Sequence, residues 1–268
     1  MEAFHSLWTK PRKDYGIEEY ELLTLALSAL KWREKNGNIT LVTDTPGLEF
    51  FKASGFLPCW TKVTTALDEI PEGIDPVRFW AAGKIYALRS FEAPVVSVDT
   101  DFIVWEKLDL ENIGSRLCAI HSETLSADVY PDTKDFTVFD DGFNWEVLPL
   151  NAAFLYFGDE DLKSEYIKNA VAFMMSCTGG DTLRPMVFAE QRLLAMTAHK
   201  MGITPSVFSS LEKLTSGSDE RFTHLWGFKK QLVENEAVRE EFCQRLKARL
   251  IKDFSGTEMG RFLKGLIL

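Results

Sequence analysis

The 268-residue chain lacks most of what would mark a membrane-bound, secreted or nucleic-acid-binding protein. No stretch approaches 18 uninterrupted apolar residues, so no transmembrane helix is expected. The opening "MEAFHSLWTKPRKDYG" has no long apolar core, so no signal peptide is expected either. Cysteine is scarce. Cys59, Cys118, Cys177 and Cys243 lie far apart and match no zinc spacing, and they read as reduced thiols in a cytoplasmic protein. Positive charge is in deficit, with 30 Lys and Arg against 40 Asp and Glu, a formal net charge of -10. That argues against general binding to nucleic acid. It also means that a polyphosphate substrate would need local lysines, a helix N-terminus or a metal. There is no internal repeat and no low-complexity linker. What remains is core-forming material: 46% hydrophobic residues, with 20 Phe and 7 Trp. This suits one large domain, or one domain with a helical appendage.

Along the chain, apolar runs alternate with amphipathic ones. "FHSLW" predicts a first strand. "IEEYELLTLALSALKWREKNG" follows, and Tyr20, Leu23, Leu27 and Leu30 recur in it at helical spacing, with Gly37 as a stop. "ITLVTD" predicts a second strand closed by Asp44. "GLEFFKASG" predicts a short helix and "WTKVTTAL" an extended piece. "DPVRFWAAGKIYALRSFE" predicts a helix capped by Asp75, with Pro76 at its first position. "APVVSVDTDFIVWEKL" opens as a buried strand. Downstream, "RLCAIHSE" and "VLPLNAAFLYFGD" predict strands, while "EDLKSEYIKNAVAFMMS" and "PMVFAEQRLLAMTAHKMG" predict helices. "LTSGSDERFTHLWG" reads as a mobile loop. In the tail, Phe242, Leu246, Leu250 and Phe254 recur every fourth residue, which predicts a helix. The alternation points to an α/β layered domain with a mainly parallel central sheet. In such sheets ligands bind outside the carboxyl ends of strands, and Asp44 and Asp99 both stand at such ends.

Asp99 and Asp101 follow an apolar strand, with only Thr100 between them. If the chain stays extended, residues at i and i+2 project to the same side and both carboxylates face one spot. Two half-buried carboxylates repel unless a cation intervenes. Hard ions such as Mn2+ or Mg2+ favour carboxylates, waters and phosphate oxygens. An ion held there would also bridge an acidic protein to an anionic substrate. The competing reading is a pair of solvated aspartates in a turn. Far downstream, "RFTHLWGFKKQL" places His224, Gly227 and Lys230 as H-x-x-G-x-x-K. Histidine is a ready metal ligand, glycine admits close approach of a phosphate to the backbone, and lysine supplies a point charge.

These motifs together resemble the nucleotide-sugar glycosyltransferases of the GT-A fold, and most of all the retaining family 8 enzymes and related capsule- and lipopolysaccharide-type transferases. The likeness runs in order from "ITLVTD" to "HLWGFKK". It departs where the family often has Pro-Trp after the lysine, since Gln231 and Leu232 follow here. The resemblance implies a Rossmann-like GT-A domain over residues 1–227, with a helical segment over 228–268 packed on it. It implies Asp99, Asp101 and His224 as ligands of Mn2+ or Mg2+. Gly227, Lys230, Thr100, Lys84 and Asp44 would bind the nucleotide or its diphosphate, with Arg78 a weaker candidate. Asn151 would contact the donor sugar, although Ala153 stands where the family usually has glycine. Glu190 and Gln191 would flank the reacting carbon. The implied donor is a nucleotide-diphosphate sugar, with UDP favoured. The implied acceptor is a saccharide or glycolipid hydroxyl, as in polysaccharide biosynthesis by a hexosyltransferase.

Several alternatives stand beside this. Asp44 is equally suited to cap a helix before Thr45-Pro46. Glu190 or Asp181 would serve as a base if the chemistry inverted rather than retained. Asp140 and Asp141 suit a solvated turn or an acceptor loop. The ending "RFLKGLIL" leaves room for peripheral membrane contact. A haloacid-dehalogenase-like phosphohydrolase would use Asp99 as nucleophile with Mg2+. A non-catalytic relative would bind a sugar or a partner protein.

Overall fold

The computed structural model describes residues 1–11, 16–131, 142–178 and 181–267. Asp140 and Asp141 therefore lie outside the described residues. The first half of the chain contains β1 (Glu2–Leu7), α1 (Glu19–Lys35), β2 (Ile39–Thr43), α2 (Thr45–Ser54), β3 (Lys62–Thr64), α3 (Ala82–Ala87), β4 (Val95–Val98), β5 (Phe102–Val104) and β6 (Leu117–Ala119). The second half contains β7 (Phe154–Phe157), α4 (Glu160–Ser176), α5 (Arg184–Val187), α6 (Leu193–Lys200), β8 (Ser206–Val207), α7 (Leu211–Ser216) and β9 (Phe222–His224). Three helices end the chain: α8 (Lys229–Glu234), α9 (Glu236–Phe254) and α10 (Glu258–Ile267).

Seven strands form one sheet in the order β3-β2-β1-β4-β7-β6-β8. Neighbours run parallel from β3 to β4 and again between β6 and β8; β7 is antiparallel to both of its neighbours. The architecture is thus mixed α/β with a mainly parallel central sheet. The strands alternate their faces as the period of two requires. Ile39 and Leu41, Val96 and Val98, and Phe154 and Tyr156 face one core with α1, α9 and α10. Val42, Val95, Leu155 and Phe157 face the other with α3, α4 and α6. The chain leaves β1 to build β2 and β3 on one side, then returns to place β4 on the other. That reversal falls at the carboxyl ends of β1 and β4, the position where sheets of this kind hold ligands.

The tail helix carries its stripe inward. Leu246, Leu250 and Phe254 are buried against α1, and buried Lys31 on α1 reaches Asp253 at 2.6 Å. Met259 and Leu263 of α10 are also buried, and no helix among the described residues is long and apolar enough to cross a membrane.

Two segments depart from their sequence pattern. The helix expected from Asp75 is shorter. Asp75 does cap, accepting from the N–H groups of Val77 and Arg78, but α3 begins only at Ala82. The intervening turns are held by tertiary bonds, Arg78 donating to the Cys177 carbonyl and the Ala81 N–H to the Met186 sulfur. The segment expected as a mobile loop forms α7 and β9. Its buried Asp219 accepts from Ser209 and from two nitrogens of Arg221, and Arg221 in turn donates to the Phe208 carbonyl.

Buried His5 on β1 gives a testable consequence. Complete burial lowers its pKa from 6.5 to about 3, while Asp101 pulls weakly the other way. Its ring contacts Ser28 and Trp60, neither of which titrates in this range. Between pH 3 and 6.5 the unfolded chain binds the extra proton, so stability rises with pH and is lost as pH falls. His5 should contribute about 1.4 kcal/mol to the fall in the free energy of urea unfolding between pH 7.5 and pH 5.5, the linkage of one group whose unfolded pKa lies midway between them. His5→Gln should flatten that slope; an unchanged slope in the variant would assign it to other groups.

Candidate active site

Asp99 stands at the carboxyl end of β4. Its N–H donates to the Ala153 carbonyl at 2.8 Å, and its own carbonyl accepts from the Phe102 N–H at 3.1 Å. The pair therefore does not lie on extended chain, as i, i+2 alternation supposed; a turn closed by that second bond brings the carboxylates together. β5 then pairs antiparallel with β9, putting Phe102 opposite His224, while the Leu225 N–H donates to the Asp101 carbonyl at 3.2 Å. Ligand atoms of Asp99, Asp101 and His224 all lie within 4.8 Å of one another. His224 Nε2 is 3.7 Å from Asp101 Oδ2.

Two lysines balance the aspartates. Lys84 of α3 places Nζ 2.6 Å from Asp99 Oδ1 and also touches the buried Glu190 carboxylate. Lys229 places Nζ 2.8 Å from Asp101 Oδ2. Burial alone would raise the Asp101 pKa, but Lys229 and His224 outweigh it and hold the carboxyl below its usual value. Burial lowers His224, against the pull of Asp101 and Asp99. Burial would likewise lower Lys84, but Asp99 and Glu190 more than reverse this and the ammonium stays charged. At Glu190 burial wins over Lys84, and its pKa is raised.

Glu190 and Gln191 sit on a π-helical turn, Phe188–Arg192, between α5 and α6. Such turns widen a helix locally and are frequent at functional sites. Gln191 Oε1 accepts from the Tyr130 hydroxyl at 2.6 Å. Asn151 donates to Glu123 at 2.8 Å and accepts from the Ala153 N–H at 3.0 Å. That bond fixes the same residue whose carbonyl receives Asp99. Thr100 lines a small recess with Tyr20, Thr24 and Lys229. A side chain added at Gly227 would meet nothing within 4 Å, and its φ is not positive. Neither crowding inside the fold nor backbone conformation calls for glycine there.

Other expected residues are placed elsewhere. The Lys230 side chain is 81% exposed and lies near Glu234, while Lys229 takes the place beside Asp101. The motif spacing pointed to the second of two adjacent lysines; the start of α8 turns the first one inward. Asp44 caps α2 through the Gly47 N–H and accepts from the N–H and hydroxyl of Thr9, so both of its oxygens are engaged within the fold. Arg78 is held at the Cys177 carbonyl. Asp181 accepts from the N–H groups of Leu183 and Arg184 at the start of α5. Glu123, Tyr130 and His121 were not singled out from sequence. His121 Nε2 lies 3.8 Å from the Glu123 carboxylate that holds Asn151. None of the three belongs to a spaced motif, and the "HSE" string alone carried no signal.

The family model described as Family of unknown function (DUF6734) matches residues 1–141, more than half of the chain. The chain belongs to that family. In this member of DUF6734 the matched region holds Lys84 and the two aspartates, while Glu190, Gln191 and His224 come after it. No curated protein matches the chain. Among solved structures, a PaToxG glycosyltransferase is similar at 10% identity and a TM-score of 0.46, over 91% of this chain and 78% of that one. Mouse xyloside xylosyltransferase 1 is similar at 12% identity and 0.44, over 77% and 84%. The glycosyltransferase GlyE of Streptococcus pneumoniae is similar at 15% identity and 0.43, over 87% of this chain and half of that one.

Proposed function

We propose that the protein is a metal-dependent glycosyltransferase of the GT-A type, moving a sugar from a nucleotide-diphosphate sugar to a hydroxyl of a saccharide or glycolipid. The observation that carries this is the convergence of Asp99, Asp101 and His224, two hard carboxylates and one imidazole, on one point. This donor set suits Mn2+ or Mg2+. When bound, such an ion would offset the charge that develops on the diphosphate leaving group. Lys229 stands ready to bind the same oxygens, and the open backbone at Gly227 lets a phosphate approach closely. Lys84 holds Asp99 and Glu190 together, and in this reading Glu190 and Gln191 flank the reacting carbon. Asn151 faces the donor sugar in this reading. UDP is the favoured nucleotide and retention the favoured outcome, both from the family 8 resemblance. A phosphohydrolase using Asp99 as nucleophile leaves His224 without a role.

The test is nucleotide release from a panel of UDP- and GDP-sugars with Mn2+, before and after EDTA. Release should require the ion and return when Mn2+ is restored. Phosphate release from simple monoesters, or no metal-dependent nucleotide binding at all, would overturn the proposal.

A further inference from the structure

Beside the cluster, a buried polar chain runs from one core to the aspartate turn. Trp60 Nε1–H donates to His5 Nδ1 at 3.1 Å. The other ring nitrogen, His5 Nε2, lies 3.1 Å from Ser28 Oγ. The Ser28 hydroxyl donates to the Phe102 carbonyl at 2.5 Å. The directions are fixed by elimination. An Nδ1 that accepts must leave the proton on Nε2 of a neutral ring, so His5 donates to Ser28, and Ser28 has one hydrogen left to give. His5, Ser28 and Phe102 are each 0–1% exposed, and Trp60 is nearly as deep.

Two observations show that this chain serves the turn. The Leu225 N–H donates to the Asp101 carbonyl and the Trp105 N–H to the Arg221 carbonyl, so Phe102, in the non-bonded pair beside Asp101, turns its carbonyl away from β9. Without Ser28 that buried carbonyl would be an orphan acceptor. Second, a serine or threonine inside a helix usually bonds back to its own i−4 carbonyl. Thr24 does so, one turn earlier, to Tyr20 at 2.6 Å. Ser28 instead reaches out of its helix, 74 residues along the chain.

We infer that Ser28 and His5 are positioning residues for the metal site, holding the Phe102 carbonyl, one residue after Asp101, so that the Asp101 carboxylate stays aimed at Asp99 and His224. This rests on the metal reading proposed above. The experiment is binding of Mn2+ alone, followed by the loss of the free-ion EPR signal, with folding checked by circular dichroism. Ser28→Ala should weaken Mn2+ binding about tenfold, the size of effect usual for outer-shell partners of a metal site. His5→Phe, which fills the space without an N–H, should weaken it in the same direction. Ser28→Thr, which keeps the hydroxyl, should stay close to wild type. Folded Ser28→Ala with wild-type affinity would overturn the inference and leave the metal reading intact. Wild type that binds no Mn2+ would overturn both. If Ser28→Ala does not fold, Ser28→Cys, with its weaker donor, carries the same comparison.

Discussion

Alanine at Asp101 is expected to lower metal-dependent nucleotide release about 10²–10³-fold, the loss that follows removal of one preorganised charge-stabilising contact. The structure says why the effect should be chemical and not a matter of folding. Removing this carboxylate frees Lys229, whose side chain is 42% exposed and can turn to water. It also relieves the repulsion between neighbouring aspartates. The melting temperature should fall only modestly, by the lost pairing of the ionised carboxylate with Lys229 and His224. The lysines extend the test. Lys229→Ala should reduce turnover by about 10²-fold, since the ammonium beside Asp101 is also the one in reach of a diphosphate. Lys230→Ala should change little, because an exposed pair with Glu234 is worth about 0–1 kcal/mol at most. Steady-state release of UDP in parallel for the three variants decides it. The reverse ranking of the two lysines would mean that α8 sits differently in the working protein.

Lys84→Met should destabilise the fold by about 3–5 kcal/mol, the cost of stranding buried charge. Lys84 is the common partner of Asp99 and Glu190, and the Glu190 side chain is only 4% exposed. Without the ammonium, Glu190 must take up a proton or draw in water. The loss should be smaller at pH 5 than at pH 8, because a carboxyl whose folded pKa is raised costs least where it is protonated. Adding Glu190→Gln should restore part of the loss. Urea unfolding of the two single variants and the double variant measures the coupling. Additive losses would show that the contact carries no net energy, while catalysis should fail in all three variants.

The sequence showed most clearly what periodicity and local chemistry encode. The helix through Tyr20 to Leu30, the strand at Ile39–Thr43 and the tail stripe at Leu246–Phe254 each carry their own pattern, and the structure has them. The two aspartates and His224 could be named because their residue types and spacings are unusual together. What the sequence did not reveal is set by distant contacts. Whether Lys229 or Lys230 turns inward depends on how α8 starts after Leu225, and two adjacent lysines look alike in a string. Asp44 satisfied two patterns at once, and only the Thr9 bonds show where its oxygens are engaged. The turn at Thr100 depends on the Asp99 carbonyl meeting the Phe102 N–H, which no side-chain pattern announces. Glu123, at the end of a segment that reads only as a strand, and Tyr130, outside any spaced motif, reach Asn151 and Gln191 through contacts that no local pattern announces.

The two-stranded ladder of β5 and β9 has a consequence for assembly. It joins residues about 120 positions apart through three facing pairs, and Phe102 with His224 is one of them. Closing so long a loop costs entropy that three pairs alone do not recover, so the ladder forms only when the rest of the core is already packed. The first two-thirds of the chain can hold both aspartates, yet it has no third ligand until β9 arrives. The cluster is in this sense a late product of folding. A chain cut before Phe222 would lose His224, the Leu225 bond to the Asp101 carbonyl and the tail helices that complete the core beneath the aspartate turn.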